Sequence, residues 1–374
     1  MRILFSVPRY HPNHDGMVLG LQRAGHDVAF LVRHGHPTER HLDGVDITRI
    51  PGPRHESAIE GMEETAFKLQ DTALPPLRFL YSFLRETRPD IVIARNTKAL
   101  NISIFLICRS MGIKFLLYLL GGDGYEKMTL SRRLRLRAGL WPRHTINTVC
   151  QTPAAQIPGK TYDFIPFAIE PYEYQKTDYP ATLPLRILAI GKLDQARKNH
   201  MPLVRSIAPL LKDRSAVLVI AGLRNDNPGP AYAKLLDEIN TLGVGGSVSM
   251  QENLSYDQAR ALYQQHDLFV MASSNELAGI APIEAMATGL AVITSSDSGT
   301  KYFITPGETG EIFESGNFDD LAEKIKYFGD NLPEVERMGR NARATILRDY
   351  SPERFEQRFM DIVSRRFGPQ ASAR

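Results

Sequence analysis

Cysteine and long apolar runs are scarce in this sequence, and each scarcity excludes a class of protein. The 374 residues include only two cysteines, Cys108 and Cys150, too few for a disulfide framework or a structural zinc site in a chain of this length. No segment approaches the roughly 18 uninterrupted apolar residues of a membrane-spanning helix. The chain begins with a strand-like segment that lacks the pattern of a signal peptide, so we expect a cytoplasmic protein.

The net charge of +3 conceals an uneven distribution along the chain. Residues 1–170 carry 22 basic and 16 acidic side chains, whereas the remainder carries 23 basic and 26 acidic ones. Residues 127–162 contain seven basic side chains and no acidic one. The first half therefore favours an anionic substrate or surface, with a solvated basic face as the alternative.

Short β-branched and aromatic runs alternate with longer helical patterns, which predicts βαβ units and parallel sheets. Two doubly wound domains are expected, residues 1–170 and 171–351, with a proline-rich linker between residues 165 and 184. The helical pattern over residues 352–367 is long enough to cross back to the first domain. The predicted strands cover residues 2–7, 27–32, 46–50, 91–94, 115–120 and 148–150 in the first half, and 186–190, 216–221, 248–251, 268–272 and 291–294 in the second.

The turn over residues 191–200 carries basic residues directly after a predicted strand. In parallel sheets the ligand crevice lies beyond the carboxyl ends of the strands. Gly191 lets an anion approach the backbone, and Lys192 and Lys198 together can neutralise a diphosphate. A solvated basic loop would show the same pattern.

The turn over residues 273–289 combines carboxylates with the start of a short predicted helix. Amides around Gly279 and Ile280 can bind a phosphate at the helix N-terminus. Glu276 and Glu284 present carboxylates to hydroxyl groups on either side of these amides. The turn after the next strand, residues 295–300, adds small hydroxyl side chains near the same crevice.

Together these turns resemble the nucleotide-binding domain of the family-four retaining glycosyltransferases, which have the GT-B fold. Gly191-Lys192-Leu193 with Lys198-Asn199 is similar to their Gly-Arg-Leu…Lys-Gly/Asn element, and residues 276–289 are similar to their Glu-x7-Glu segment. Residues 307–313 are close to their Gly-x-x-Gly-x-Leu-Phe signature. The resemblance covers residues 185–350 and implies the α/β GT-B architecture, two Rossmann-like doubly wound parallel-sheet domains facing a central cleft.

The resemblance also implies roles for individual residues. As catalytic residues, Lys192 and Lys198 would bind the donor diphosphate and Glu276 would contact the transferred sugar. Glu284 would bind the ribose of the donor. The remaining donor-binding residues implied by the resemblance are Gly191, Asn275, Gly279, Ile280 and Ala281.

The first half is less similar to the family. Where the family has paired glycines, this chain has only Gly16. We assign Gly16 to the acceptor surface, although the family's acceptor contacts do not carry over to this loop. Asp123 stands near the place of the family's sugar-contacting histidine. It either takes over that catalytic contact or is a turn residue between flanking glycines.

Neither a metal nor a cofactor is expected. The sequence lacks the Asp-x-Asp motif that anchors a metal in the other main glycosyltransferase fold, and two lysines with helix N-termini are available to neutralise the diphosphate. Eight of the ten histidines precede residue 170. Their spacing does not predict metal ligands, so we expect them to be solvated loop residues.

A basic segment, residues 130–141, has two interpretations. Leu130, Leu134, Ala138 and Trp141 fall on one helical face, which favours either a core-facing helix with a solvated basic side or a helix on an anionic membrane surface. The basic residues assigned to the acceptor or membrane surface are Arg132, Arg133, Arg135 and Arg137.

We therefore expect a retaining, metal-independent hexosyltransferase. It would use a UDP or GDP sugar and a hydroxyl of a glycan, lipid-linked or other small-molecule acceptor, in bacterial cell-surface polysaccharide or glycoconjugate synthesis. No nucleic-acid partner is expected, and contact with the inner face of a membrane would be peripheral. The alternatives are a nucleotide-sugar epimerase or phosphorylase on the same fold and a non-catalytic nucleotide-sugar-binding subunit. A dehydrogenase is disfavoured because neither half has Gly-x-Gly-x-x-Gly after its first strand.

Overall fold

The computed structural model divides the chain into two compact units. One contains Met1–Ala168 and the segment from Pro352 onward, and the other contains Ile169–Ser351. The residues that the structure describes are 1–33, 42–51, 76–95, 99–119, 129–148, 161–170, 175–225, 229–276 and 279–368. The predicted role of Asp123 lies outside these residues.

The first unit contains a sheet of seven parallel strands in the order β3-β2-β1-β4-β5-β6-β7. The central strand β4 is apolar and buried on both faces, as the sheets of α/β proteins require. The strands are β1 (Arg2–Val7), β2 (Asp27–Val32), β3 (Asp46–Arg49), β4 (Ile91–Arg95), β5 (Lys114–Leu119), β6 (His144–Asn147) and β7 (Thr161–Phe164). The helices are α1 (Asp15–Arg23), α2 (Leu77–Thr87), α3 (Ala99–Met111), α4 (Leu130–Arg137) and, after the second unit, α12 (Pro352–Phe367).

The second unit contains a six-stranded parallel sheet in the order β10-β9-β8-β11-β12-β13. Its core combines the inner residues of these strands with the apolar faces of the surrounding helices. The strands are β8 (Leu185–Ile190), β9 (Ala216–Gly222), β10 (Val248–Glu252), β11 (Leu268–Met271), β12 (Ala291–Ser295) and β13 (Gly310–Phe313). The helices are α5 (His200–Ser206), α6 (Ala208–Lys212), α7 (Pro230–Leu242), α8 (Tyr256–Gln265), α9 (Ala281–Thr288), α10 (Phe318–Asp330) and α11 (Leu332–Asp349).

Helix α12 packs against α1 within the first unit. A Cβ atom at Gly20 of α1 would lie only 2.0 Å from the carbonyl oxygen of Pro352, so glycine is what permits this close approach. At the other end of α12, both Arg365 and Arg366 bind the buried carboxylate of Asp163 on β7, with Nη2–Oδ1 distances of 3.1 and 2.9 Å. These contacts fix the C-terminal helix to the first sheet.

The prediction of two parallel-sheet α/β domains is confirmed, but three short strands, β6, β7 and β13, were not predicted. Of the strand predicted at residues 148–150, only residue 148 lies within the described residues, and β6, which pairs with β5, ends directly before it. Threonine and asparagine side chains of β6 are buried, so its composition conceals a strand. The four-residue strands β7 and β13 were not predicted because pairing with the adjacent strand defines them more than any apolar pattern of their own.

Candidate active site

The carboxyl ends of β8, β11 and β12 form one edge of the second sheet. The chain runs outward from β8 through β9 to β10 and then crosses to the other side of β8 at β11. Such a reversal of strand order opens a crevice between the loops that follow the two neighbouring strands. The loops after β8 and β11 contain most of the residues that the motifs predicted.

Two glycines allow the loop after β8 to lie close to its neighbours. A Cβ atom at Gly222, at the end of β9, would lie 1.8 Å from the carbonyl oxygen of Gly191. A Cβ atom at Gly191 would lie 3.1 Å from Cδ of Lys198 and 3.4 Å from Nε2 of His200. The glycine at residue 191 thus leaves room for the lysine side chain to pass over the strand end.

Asn199 ties the loop after β8 to the loop after β11. Its φ of +56° lies in the left-handed region, which asparagine tolerates better than most residues. Its Nδ2 donates to the carbonyl oxygen of Ala272 at 2.9 Å and to Oγ of Ser274 at 2.7 Å. The amide of Ser274 in turn donates to the carbonyl oxygen of Arg197 at 2.9 Å, so the two loops hold each other in place.

Glu276 receives two cations from the facing loop. Nζ of Lys198 lies 2.5 Å and Nη1 of Arg197 2.9 Å from the same carboxylate oxygen, Oε2. The side chains of Lys198 and Glu276 are each only 13% exposed, whereas that of Arg197 is 46% exposed. We call these three residues the charge cluster.

The charge cluster keeps Glu276 ionised. Burial by itself would raise the pKa of this carboxyl group, but the hydrogen bonds and positive charges of Lys198 and Arg197 hold it below its usual value. The neighbouring His200 is buried, and burial together with the charge of Lys198 lowers its pKa to about 4. The site therefore presents two cations and one carboxylate beside a neutral imidazole at neutral pH.

Glu284 lies in the first turn of α9 and accepts hydrogen bonds from two tyrosines of α8. The hydroxyl of Tyr263 donates to Oε2 at 2.9 Å, and that of Tyr256 donates to Oε1 at 3.3 Å. Burial raises the pKa of Glu284 although both hydrogen bonds oppose the rise. Tyr263 is itself buried, so this contact fixes the orientation of the carboxylate within the crevice.

Asn275 and Asp297 connect the loop after β11 to the loop after β12. The amide of Asn275, whose φ is +51°, donates to Oδ2 of Asp297 at 3.0 Å. Oγ of Ser295 lies 2.8 Å from Oδ1 of Asp297 and 2.7 Å from the carbonyl oxygen of Ser273, so its one proton can be donated to either. The backbone that carries Glu276 is also held by the amide of Gly299, which donates to its carbonyl oxygen at 2.8 Å.

The N-terminus of α9 stands beside the charge cluster. A Cβ atom at Gly279 would lie 2.9 Å from Sδ of Met271 and 3.3 Å from Cγ of Glu276. Ile280 caps the helix and Ala281 is its first residue. Helix N-termini attract anions because their first amide groups are not consumed by intrahelical bonds.

The structure distinguishes among the predicted basic residues. Lys198 belongs to the charge cluster, whereas the side chain of Lys192 is exposed on the loop. Arg197 was not predicted, although it directly precedes Lys198 in the sequence. The two tyrosines were missed because α8 precedes β11 in the chain, and no local motif links them to Glu284.

In the first unit, Gly16 is buried in the first turn of α1, directly beyond the loop that follows β1. The expectation of solvated histidines is wrong for His14, which is buried among the rings of Phe5, Tyr10 and Phe30. Burial lowers the pKa of His14 to about 3. His14 is therefore a neutral core residue at physiological pH.

The core-facing interpretation of residues 130–141 is confirmed for Trp141, which is buried with Leu136, and wrong for the two leucines expected on the same face. The core contact of α4 is Leu136, and Trp141 lies beyond the helix end. Leu130 and Leu134, which were expected to lie on the same face as Trp141, are 74% and 55% exposed. The buried face of α4 is opposite to the predicted one.

Over the ranges that the structure describes, no group of three or more His, Cys, Asp or Glu side chains is arranged to hold a metal ion. Within the same part of the chain, no helix is both long enough and apolar enough to cross a membrane.

The sequence of the second unit is similar to known glycosyltransferases. Residues 180–345 match the family model described as Glycosyl transferases group 1. A D-inositol 3-phosphate glycosyltransferase of Corynebacterium aurimucosum is 27% identical over 167 residues, 43% of this chain and 39% of that protein. The lipopolysaccharide core glycosyltransferase LpsE of Rhizobium meliloti is 25% identical over 189 residues, 50% of this chain and 52% of that protein. The chain thus aligns with about half of these relatives or less.

Structural comparison extends the similarity to the whole chain. A glycosyltransferase of Rickettsia africae superposes with a TM-score of 0.74 at 17% identity, covering 97% of this chain and 98% of that one. HepE of Anabaena, solved with UDP and glucose, gives a TM-score of 0.72 at 15% identity over 98% of this chain and all of that one. At this identity the likeness establishes the fold, which is GT-B. The resemblance to GT-B glycosyltransferases drawn from the motifs is confirmed.

Proposed function

We propose that the protein is a retaining glycosyltransferase that takes a hexose-type sugar from a UDP or GDP sugar. The observation that carries this proposal is the charge cluster, in which Arg197 and Lys198 converge on Glu276 at the crevice beside the N-terminus of α9. The family match over this unit and the structural neighbour solved with UDP and glucose support the same assignment.

The charge cluster suits a donor whose leaving group is a diphosphate. Arg197 and Lys198 would transfer part of their interaction from Glu276 to the phosphate oxygens, and the amides around Gly279 and Ile280 would add hydrogen bonds. Negative charge accumulates on the leaving diphosphate as the sugar departs, and preorganised cations stabilise that charge. With two cations and a helix N-terminus available, we propose that no divalent metal takes part.

Retention can arise from two successive inversions through a covalent glycosyl-enzyme or from attack on the face from which the diphosphate leaves. We propose same-face attack by the acceptor. The bond between the anomeric carbon and the phosphate oxygen breaks, a bond from the acceptor hydroxyl to the same carbon forms, and the acceptor proton passes to the departing phosphate oxygen. Glu276, ionised and held by two cations, would accept a hydrogen bond from a hydroxyl of the sugar. Glu284 would accept one from the ribose, with Tyr256 and Tyr263 holding the carboxylate.

We propose that the first unit binds the acceptor, near Gly16 and the carboxyl end of β1. A hydroxyl of a glycan or lipid-linked acceptor fits the net basic character of residues 1–170 when the acceptor also carries phosphate. The similarity to a lipopolysaccharide core glycosyltransferase favours a role in cell-surface polysaccharide or glycoconjugate synthesis.

The test is a transfer assay with a panel of UDP and GDP hexoses and glycan and lipid-linked acceptors, in the presence of a chelator. We expect a product whose anomeric configuration by NMR equals that of the donor. An inverted product would reject retention, and activity restored only by magnesium or manganese would reject metal independence. An isomeric nucleotide sugar formed without any acceptor would identify an epimerase instead, and a sugar phosphate formed only with added inorganic phosphate would identify a phosphorylase.

A binding measurement tests the nucleotide site independently of turnover. Glu284→Gln should weaken the affinity for the bare nucleoside diphosphate by roughly 10- to 100-fold, because a charge-assisted hydrogen bond contributes about 1.5 to 3 kcal/mol. Glu238→Gln, in an exposed ion pair of the same unit with Arg205, is the control and should leave the affinity unchanged. Equal affinities in all three proteins would remove Glu284 from the nucleotide site.

A further inference from the structure

Helix α4 presents large apolar side chains to solvent. Leu130 is 74% exposed and Leu134 is 55% exposed, whereas Leu136 is only 3% exposed and makes the helix's core contact. Successive residues turn by about 100° around a helix axis. Leu130 and Leu134 therefore lie on one face, with Leu136 well away from them.

The same outward face carries arginines. Arg133 and Arg137 are one turn apart and exposed, and the helical periodicity places them directly beside Leu130 and Leu134. We call these four residues the outer face of α4. The sequence around them contains no acidic residue between positions 127 and 162, so no carboxylate of that stretch neutralises the arginines.

The outer face is held in place by the packing behind it. Leu136 and Trp141 form a small buried cluster with Ile102 and Tyr162. The guanidinium of Arg132 lies 5.5 Å from the centre of the Trp141 ring. These contacts fix α4 on the first unit, so a partner would meet a surface that is already ordered.

Further contacts secure the end of α4. The guanidinium of Arg109 on α3 donates to the carbonyl oxygens of Ala138 and Gly139. Leu106, one turn before Arg109, and Leu140, directly after the turn, are 39% and 48% exposed. Exposed apolar side chains thus continue from the helix onto its immediate surroundings.

We propose that the outer face of α4 docks onto an anionic lipid bilayer. Leucines can enter the acyl boundary while the arginines beside them bind lipid phosphates, the combination that interfacial helices use. A second copy of the chain is a poor occupant, because it would bring the arginines of two outer faces together. A soluble polyanion would engage the arginines and leave the leucines in water. This inference does not depend on the glycosyltransferase assignment, since it concerns binding to lipid alone.

The experiment is co-sedimentation of the full chain with vesicles of phosphatidylcholine or of phosphatidylcholine mixed with phosphatidylglycerol. We expect binding to the mixed vesicles only, weakened by added salt. Arg133→Gln with Arg137→Gln should reduce partitioning by about fivefold for each arginine, following the typical contribution of a basic residue near an anionic surface. Leu130→Ser with Leu134→Ser should reduce it by about tenfold, even at low salt.

Matched variants control for charge and for apolar exposure. Lys212→Gln with Arg214→Gln removes the same charge from exposed positions at and just after the end of α6, and Leu236→Ser removes an exposed leucine from α7. Both should bind vesicles like the unmodified chain, and circular dichroism should show all variants folded. Equal losses in the charge control, full binding by the leucine variant, or no binding to mixed vesicles would each overturn the proposal. So would a leucine variant that changes only self-association in gel filtration, which would make this face a contact between copies.

Discussion

Glu276 binds two cations, so any anionic ligand at this site must compete with its carboxylate for them. A diphosphate must draw Lys198 and Arg197 away from a carboxylate that lies 2.5 and 2.9 Å from them. The shared carboxylate keeps both side chains in the crevice before the ligand arrives. The exposed Lys192 has no such restraint.

We expect Lys198→Ala to lower kcat by about 100- to 1,000-fold, the usual effect of removing one preorganised group that stabilises developing charge. Lys192→Ala should lower kcat less, because its side chain is not held in the charge cluster. Steady-state kinetics with the nucleotide sugar found by the transfer assay measure both. If Lys192→Ala proves the more damaging change, the diphosphate lies nearer the exposed side of the loop.

His14 makes the free energy of unfolding of the first unit depend on pH. Its pKa is about 3 in the folded chain, below the ordinary 6.5, because burial disfavours the charged ring. The unfolded chain therefore binds the proton more readily, and the free energy of unfolding falls as the pH drops below 6.5. Between pH 7 and pH 5 the loss from this residue amounts to about 2 kcal/mol.

His14→Phe should remove that part of the acid sensitivity. Phenylalanine fits among Phe5, Tyr10 and Phe30 but gives up the hydrogen bond from Nδ1 to the carbonyl oxygen of His11. Urea unfolding at pH 7 and pH 5, followed in both proteins, measures the difference in slope. Parallel losses in the two proteins would mean that other groups dominate the acid response.

Residues that a local motif brings together were predictable as neighbours, and residues that only the fold brings together were not. Lys198, Glu276 and Glu284 lie in turns whose glycines and helix starts are visible in the sequence. Tyr256 and Tyr263 reach Glu284 from a helix more than 20 residues earlier. Only the pairing of β8 with β11 and the packing of α8 on α9 bring them together.

The same limit applies to secondary-structure elements. Strands that are apolar along their length, such as β4 and β9, were predicted almost to the residue. The strand β6 was not, because its buried threonine and asparagine resemble a loop in composition. For α4 the periodicity predicted a helix, but a single period of apolar residues cannot show which face meets the core.

The close packing of α1 and α12 makes Gly20 a sensitive position. In Gly20→Ala the new Cβ atom would lie 2.0 Å from the carbonyl oxygen of Pro352, so the two helices must separate. We expect a loss of about 1 to 3 kcal/mol in the stability of the first unit and faster proteolysis near residue 351. Gly246→Ala, where a Cβ atom meets nothing within 4 Å, is the control for a glycine replacement as such. Unchanged proteolysis of Gly20→Ala would show that α12 adjusts without separating.

The whole molecule contains two units with separate cores, and only the second carries the charge cluster. A nucleoside diphosphate at 100 times its Kd adds about 2.7 kcal/mol to the stability of the unit that binds it. We expect calorimetry to show the melting transition of residues 169–351 rising by roughly 5 to 10 °C, given about 2 to 4 °C per kcal/mol at this size. The transition of the first unit should move less. Equal shifts in both transitions would mean that the two units unfold together.

The path of the backbone has a mechanical consequence. The chain enters the second unit at Ile169 and leaves it at Ser351, and the amide of Ile169 donates to the carbonyl oxygen of Tyr350 at 3.0 Å. The second unit is therefore an insertion whose two ends are joined, while the first unit is assembled from both ends of the chain. A tensile force applied between the two ends of the protein would load the contacts of α12 with α1 and with Asp163 first. The inserted unit would extend only after the hydrogen bond between Ile169 and Tyr350, which joins its two ends, had broken.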